Sequence, residues 1–423
     1  MNSNFKRYII FWLSQALSQL GSSMTTFALI LWTYTQKGTA MTVSLMTFFN
    51  YLPYIILSLF VGTFVDNHSK KIMLVSDSIA AICSLAIFCL NSGNALQIWH
   101  IYLVNMIIGF MGAFQDPASD VALGKVVPKE KLEQISGMNS FSDNLVAVLS
   151  PVFAAFLFAF GGLKLILIID LSSFLFAFLI LLFVLRIPDD IPQKAEKKSV
   201  FIGCKEGLQY LKQHNGIFLV IITMAVLNFF SRLTYENILS PMILSRSAND
   251  SVTLGIVNAV MGIGGIIGGI IVSSGKIKAN SAKMIYLSAM LSFLLGDIMM
   301  GLGRNGIVWS LAGLAASLPI PFINAGQMVI LYRNVPEDMK GRIFAVRNAV
   351  QFSSIPLGIL LGGLLADYVF EPFMLTQNPI TQVLHKLVGE GAGSGMAVMF
   401  LCTGILGSLF SFAFYQRKDI RNL

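Results

Sequence analysis

Twelve apolar runs, each roughly 20 residues or longer and nearly free of charge, follow one another along the chain with short polar breaks between them. A helix of that length crosses about 30 Å of hydrocarbon, and in lipid every backbone polar group must be satisfied inside its own segment. The runs show no period-two alternation, which argues against barrel strands. Their approximate bounds are 8–35, 42–65, 72–91, 98–118, 138–160, 163–185, 216–240, 252–273, 283–303, 306–332, 343–369 and 394–415, numbered here as spans one to twelve. With 55% of 423 residues hydrophobic and only 12% charged, a soluble globule is excluded.

The runs divide six and six. Residues 1–185 form a first set, 186–215 a charged cytoplasmic linker, and 216–423 a second set. Within the linker Phe201, Cys204, Leu208 and Leu211 recur at helical spacing, which predicts a helix lying on the membrane surface. With the N-terminus inside, 23 Lys and Arg fall in loops on the cytoplasmic side and five outside, namely Lys37, Lys164, Arg246, Arg304 and Lys386, with Arg232 left within a span. This bias places both termini in the cytoplasm and accounts for the net charge of +8 without nucleic acid. The apolar run from Tyr8 to about Thr35 is too long for a signal peptide's apolar core and reads as a retained first span. Cys83, Cys89, Cys204 and Cys402 show no metal spacing, and structural disulfides are not expected. The halves also repeat weakly. Val127-Pro128-Lys129-Glu130 returns 208 positions later as Val335-Pro336-Glu337-Asp338, as in transporters built from repeated six-helix units.

Between spans two and three, Gly62 and Asp66 share a helix face, and the basic pair Lys70 and Lys71 opens the next run. Asp66 sits where the helix macrodipole disfavours an anion by roughly 0.3 to 1 kcal/mol, so it calls for a cationic or helix N-terminal partner. This arrangement resembles the loop after the second helix in the major facilitator superfamily. Ala113-Phe114-Gln115-Asp116-Pro117-Ala118, Ser150-Pro151, Ile169-Asp170 and Leu185-Arg186-Ile187-Pro188 are similar to the macrolide-efflux branch of its bacterial exporters. In the second half, Gly341-Arg342-Ile343-Phe344, Pro356-Leu357-Gly358 and Phe370-Glu371-Pro372 with Gly391-Ala392-Gly393-Ser394-Gly395 extend the likeness. The last glycines are no dinucleotide loop, because no strand precedes them, and they read as a flexible loop end. The resemblance implies a secondary transporter that exports drugs or metabolites.

Polar residues inside the spans are functional candidates, since a central charge costs about 2.5 to 3.5 kcal/mol on insertion scales. The resemblance implies that spans one, four, seven and ten line a central cavity. That gives Gln15, Gln19, Asn105, Asn228, Asn324 and Gln327 as substrate-binding candidates, against the alternative of interhelical hydrogen bonds. Gly62, Asp66, Lys70, Lys71, Gly341, Arg342 and Arg347 are the gating candidates, with Asp66 expected to meet the start of span eleven. Asn228, Arg232 and Glu236 form one stripe on span seven, and Pro241 just beyond can break the helix. Arg232 and Glu236 are read either as a structural ion pair or as a proton-coupling switch. Asp77, Asp116 and Asp143 lie near cytoplasmic ends and suit gating or structural roles, while Asp170 and Asp297 suit helix-pair contacts. Span four lacks the Arg that many proton-coupled relatives carry.

The expectation is an all-α polytopic membrane protein of twelve transmembrane helices in two pseudosymmetric six-helix bundles, the major facilitator fold. Its partners are the lipid bilayer, a small-molecule substrate and a coupling proton, with no nucleic acid, cofactor or metal. It is expected to be a monomer in a bacterial inner membrane and not an enzyme, since no nucleophile with its base is present. Alternatives are an uptake carrier for a small polar solute, or a non-transporting membrane receptor or lipid-handling protein.

Overall fold

The computed structural model describes residues 3–58, 69–126, 132–183, 200–274 and 280–421, and every regular element among them is a helix. α1 (Ser3–Lys37), α2 (Ala40–Ser58), α3 (Ser69–Ser92), α4 (Ile98–Val126) and α5 (Leu132–Phe183) come first. α5 carries two of the expected spans and breaks at Gly162, whose φ of 60° is a conformation glycine adopts without a Cβ penalty. α1 packs along α5, and α3 lies against α4 and α5.

After the linker come α6 (Val200–Gln213), α7 (Asn215–Thr234), α8 (Leu239–Arg246) and α9 (Ser251–Ser273). Span nine is built from α10 (Ser281–Leu291), a π-helical turn (Ser292–Asp297) and α11 (Ile298–Leu302). Span ten is α12 (Gly306–Ser317) and α13 (Ile320–Asn334). Span eleven is α14 (Glu337–Leu365), a second π-helical turn (Ala366–Phe370) and α15 (Glu371–Met374). α16 (Pro379–Val388) precedes the last span, α17 (Ser394–Tyr415), and α18 (Lys418–Arg421) closes the described chain. Ten segments among the described residues are long and apolar enough to cross a membrane. One of them, Phe141–Ile180, contains the break at Gly162 and supplies two spans, and the 35-residue α1 supplies the remaining one, giving twelve.

The chain forms two compact units, residues 1–37 with 45–195 and residues 38–44 with 196–423. The inclusion of 38–44 in the second unit has a local cause. Asp367, on the second π-turn, accepts from the backbone N–H of Ala40 at 3.0 Å and of Met41 at 2.7 Å, and Asn237 donates to Ser44 Oγ at 2.9 Å. A carboxylate on the first, unpaired N–H groups of a helix satisfies donors that have no partner inside the helix.

Prolines explain the interrupted spans. Pro319 and Pro321 remove two donors from span ten, and the helix divides between Ser317 and Ile320. Asn and Asp caps start the neighbouring helices: Asp250 accepts from Val252 N, Asn280 from Ala282 N and Asn305 from Val308 N. The glycines before the last span are more ordered than a flexible loop end. Glu371 accepts from Gly393 N at 3.3 Å and Met396 N at 3.0 Å, so a carboxylate holds the start of α17.

The linker helix departs from a purely interfacial placement. α6 packs on α14, where a Cβ on Gly207 would stand 2.9 Å from Arg342 O. Leu211 is wholly buried in a cluster with Ile217, Ile221, Leu331, Val335, Ile343 and Val346. Of the residues read from the spacing, Leu211 covers protein while Leu208 is exposed.

On α9 the glycines divide by face. Gly264 packs against Leu314 and Ser317, and Gly268 against Leu318 and Pro321, whereas nothing stands within 4 Å of a Cβ on Gly265 or Gly269. Gly268→Val should therefore overpack the contact between spans eight and ten and destabilise the fold by roughly 1 to 3 kcal/mol. Gly269→Val should not. Thermal melting of the two variants in detergent checks this, and equal melting temperatures would show that the close approach at Gly268 is not required.

Candidate functional site

In the first unit the polar residues of α1 divide between two carboxylates. Gln19 Nε2 donates to Asp143 Oδ1 at 3.1 Å. Further along α1, Ser22 donates to Asp170 Oδ1 at 3.1 Å and Thr25 to Asp170 Oδ2 at 2.9 Å. Ser84 of α3 adds a third hydroxyl at 2.9 Å on Oδ2. Asp170, 3% exposed, thus joins α1, α3 and the second arm of α5, which is the helix-pair contact expected of it. Gln15 has a buried Nε2 with no acceptor among the described residues. The Asn105 side chain donates to Ile101 O at 2.9 Å on its own helix, while the Asn105 backbone carbonyl accepts from Asn50 Nδ2 at 3.4 Å. Asp77 accepts from Gln115.

The second unit centres on the break in span seven. α7 ends at Thr234 and α8 begins at Leu239. Pro241 has no N–H for the carbonyl of Asn237, so that rung of the helical ladder is missing, while Ile238 N to Thr234 O at 2.9 Å and Met242 N to Ile238 O at 2.8 Å carry the backbone past it. The interruption expected from Pro241 thus begins several residues earlier, inside the Arg232–Glu236 stripe. Arg232, in the last turn of α7, forms an ion pair with Glu236 inside the interruption, with side chains 27% and 31% exposed. Two glycines on α14 let span seven approach: a Cβ on Gly358 would stand 2.8 Å from Arg232 Cβ, and one on Gly362 would meet Leu233 O. Asn237, inside the break, donates to Ile359 O at 2.6 Å.

Tyr235 lies between the two charges in sequence and points elsewhere. Its hydroxyl donates to Asp297 Oδ1 at 3.0 Å, and its ring meets Phe400 edge-on with centroids 5.3 Å apart. Thr403 of α17 donates to Asp297 Oδ2 at 2.7 Å. Asp297, 1% exposed, ends the π-turn of span nine, and so spans seven, nine and twelve meet at one carboxylate. The sequence marks Asp297 as a contact residue but names neither Tyr235 nor Thr403 as its partner. The available signal was a lone Thr in the apolar run of span twelve, which by itself names no partner.

Of the remaining sequence candidates, Asn228 is half-buried on α7, Asn324 is exposed on α13, and Gln327 is buried with an Nε2 unpartnered among the described residues. Gly341, Arg342 and Arg347 lie on α14. Arg342 contacts Met339 Sδ at 3.2 Å, and Arg347 donates to Asn348 Oδ1 at 3.1 Å and lies over the Phe344 ring. Lys70 and Lys71 open α3, while Gly62 and Asp66 fall outside the described residues.

The model of the Major Facilitator Superfamily matches residues 11–359. The chain belongs to the major facilitator superfamily. Among its relatives, Macrolide efflux protein A of Streptococcus pyogenes is 26% identical over 375 residues, covering 87% of this chain and 91% of that protein. Macrolide efflux protein A of Enterococcus faecalis is 26% identical over 329 residues, covering 76% of this chain and all of that protein. A crystal structure of a bacterial homologue of the human lysosomal transporter Spinster, inward-facing and unoccupied, aligns over 98% of both chains with a TM-score of 0.70 at 13% identity. As a major facilitator protein the chain is a multi-pass membrane transporter, and the buried acids described above sit inside its spans.

Proposed function

We propose that this transporter exports bulky, amphipathic, neutral or weakly cationic compounds, macrolide-like antibiotics or related metabolites, by proton antiport with alternating access. The observation that carries the reading is similarity over 87% of the chain to a protein named for macrolide efflux. The polar inventory supports it. Gln15 and Gln327 each retain a buried Nε2 donor without an acceptor among the described residues, and a buried donor left over from folding is available to a carbonyl or hydroxyl of a ligand. Together with Gln19, Asn105, Asn228 and Asn324 they form the proposed substrate set, uncharged and suited to a large apolar molecule with dispersed oxygens.

Arg232 and Glu236 are the proposed coupling pair. Gly62, Asp66, Lys70 and Lys71 with Gly341, Arg342 and Arg347 are the proposed cytoplasmic gate. The protein works as a monomer in the bacterial inner membrane with both termini in the cytoplasm.

A susceptibility panel on cells expressing and lacking the protein tests the substrate class. Expression should raise the erythromycin concentration needed to stop growth several-fold and leave tolerance of small sugars' toxic analogues unchanged. Unaltered tolerance of macrolides and other amphipathic drugs, together with transport of a small hydrophilic solute, would overturn it.

A further inference from the structure

Span nine holds a carboxylate that the proposed coupling pair does not use. Asp297 is deeply buried and, among the described residues, its two oxygens meet neutral hydroxyls, from Tyr235 and Thr403. No cation among the described residues faces it. The helices packed against its π-turn, α12 and α17, contain no Lys, Arg, His, Asp or Glu, and their titratable side chains are Cys402 and Tyr415 of α17. On its own span the only other ionisable side chains are Tyr286 and Lys283, the latter about 21 Å away along the helix. From span seven come Tyr235 itself and, beyond it, the Arg232–Glu236 pair.

Magnitudes make a permanent ion costly at this acid, as they do at Asp170, and it is the elements each acid touches that distinguish them. Interhelical hydrogen bonds inside membranes contribute about 0.6 kcal/mol each on average. Two of them do not offset the several kcal/mol that an ion loses on leaving water. A carboxylate kept in such a place without a counter-charge is best explained by a change of charge in the working cycle.

The hydrogen bonding around Asp297 accommodates both charge states without moving a heavy atom. In the ionised state Tyr235 and Thr403 both donate. In the protonated state the acid needs one acceptor, and Thr403 can become it. Its hydroxyl also lies 3.2 Å from Met399 O and 3.1 Å from Phe400 O, so it can turn its proton to its own backbone and accept from the acid. Tyr235 remains a donor throughout.

The surroundings tie this proton to the moving part of the bundle. Asp297 is aimed by a π-turn, a distortion of the helix found often at functional sites. Its reporter, Tyr235, is the first residue of the break in span seven and the neighbour of Glu236. Asp170 makes an instructive contrast. It carries three hydroxyl partners, but none of them lies at a helix break.

We propose that Asp297 is a proton-binding site of the second unit, and that Tyr235 transmits its charge state to the break in span seven beside the Arg232–Glu236 pair. The inference rests on the proton-antiport reading and adds a second, buried carboxylate to it. One proton binds and is released per cycle, with no other bond made or broken.

Purified protein in liposomes loaded at acid pH and diluted into neutral buffer, with radiolabelled erythromycin as probe, provides the test. Wild type should accumulate label several-fold above equilibrium. Asp297→Asn should keep less than one tenth of that accumulation, while exchange of label without a gradient proceeds with a pH dependence reduced to what Glu236 supplies. Asp170→Asn, the matching change at the other buried acid, should accumulate label like wild type. If wild type itself is not driven by the gradient, the antiport reading falls and this site with it. If wild type is driven and Asp297→Asn is driven equally, only the site is overturned. Equal loss in both Asn variants would mark the acids as structural and also overturn it. Should Asp297→Asn fail to exchange at all, Tyr235→Phe decides. It should shift the pH of half-maximal exchange by about half a unit or more, and an unmoved midpoint overturns the proposal.

Discussion

Glu236→Gln is expected to bind drug as wild type does and to lose proton-driven accumulation, by at least about tenfold, the equivalent of roughly 1.4 kcal/mol in the driven step. The amide can still accept from Arg232, so the local geometry of span seven survives. It cannot take up a proton, so the guanidinium is never released. Arg232→Ala is expected to impair both binding and accumulation, because it removes the partner that fixes Glu236. Binding of radiolabelled drug in detergent and gradient-driven uptake in liposomes distinguish the two effects. Full proton-coupled efflux by Glu236→Gln would remove Glu236 from the mechanism.

The second large effect is expected at Asp66. Asp66→Asn should abolish efflux while leaving the protein in the membrane at normal levels. The carboxylate at the end of span two is proposed to close the cytoplasmic side on the start of α14, around Gly341, Arg342 and Arg347. Asn keeps the size of the side chain and removes the charge that a helix N-terminus and its arginines attract. On the α14 side, Arg342 O is packed against Gly207 of the linker helix, which anchors the first turns of α14 through the Leu211 cluster. A rigid start to α14 is what a closing contact needs. Immunoblotting of membranes together with efflux of preloaded drug reads both halves of the expectation, and near-normal efflux in the variant would sink the gate.

What the sequence made legible follows from what repeats locally. The spans are visible because lipid demands long uncharged helices, and the helix in the linker because four apolar residues keep its period. The Arg232–Glu236 pair is visible because both ends lie four residues apart on one helix, and Pro241 announces the break. Contacts between distant parts were out of reach. Nothing in the spacing says that Thr403 meets Asp297, 106 residues away, or that Asp367 holds the first turn of α2, 327 residues from Ala40. The π-turns were equally hidden, because an added residue in a helix leaves an apolar run apolar. The glycines before the last span were misread for the same reason. Their role depends on Glu371, which lies 22 residues before Gly393 and reaches it only after folding. In each case the missing information is a tertiary partner, and the residue that needed one was already visible as a polar group in an apolar run.

Drug flux into everted membrane vesicles is the most direct measurement of proton-driven export by this chain. Vesicles energised to an acid interior should accumulate erythromycin only when they contain the protein, and a protonophore should discharge the accumulated label. Accumulation that ignores the protonophore, or no difference between vesicles with and without the protein, would contradict it.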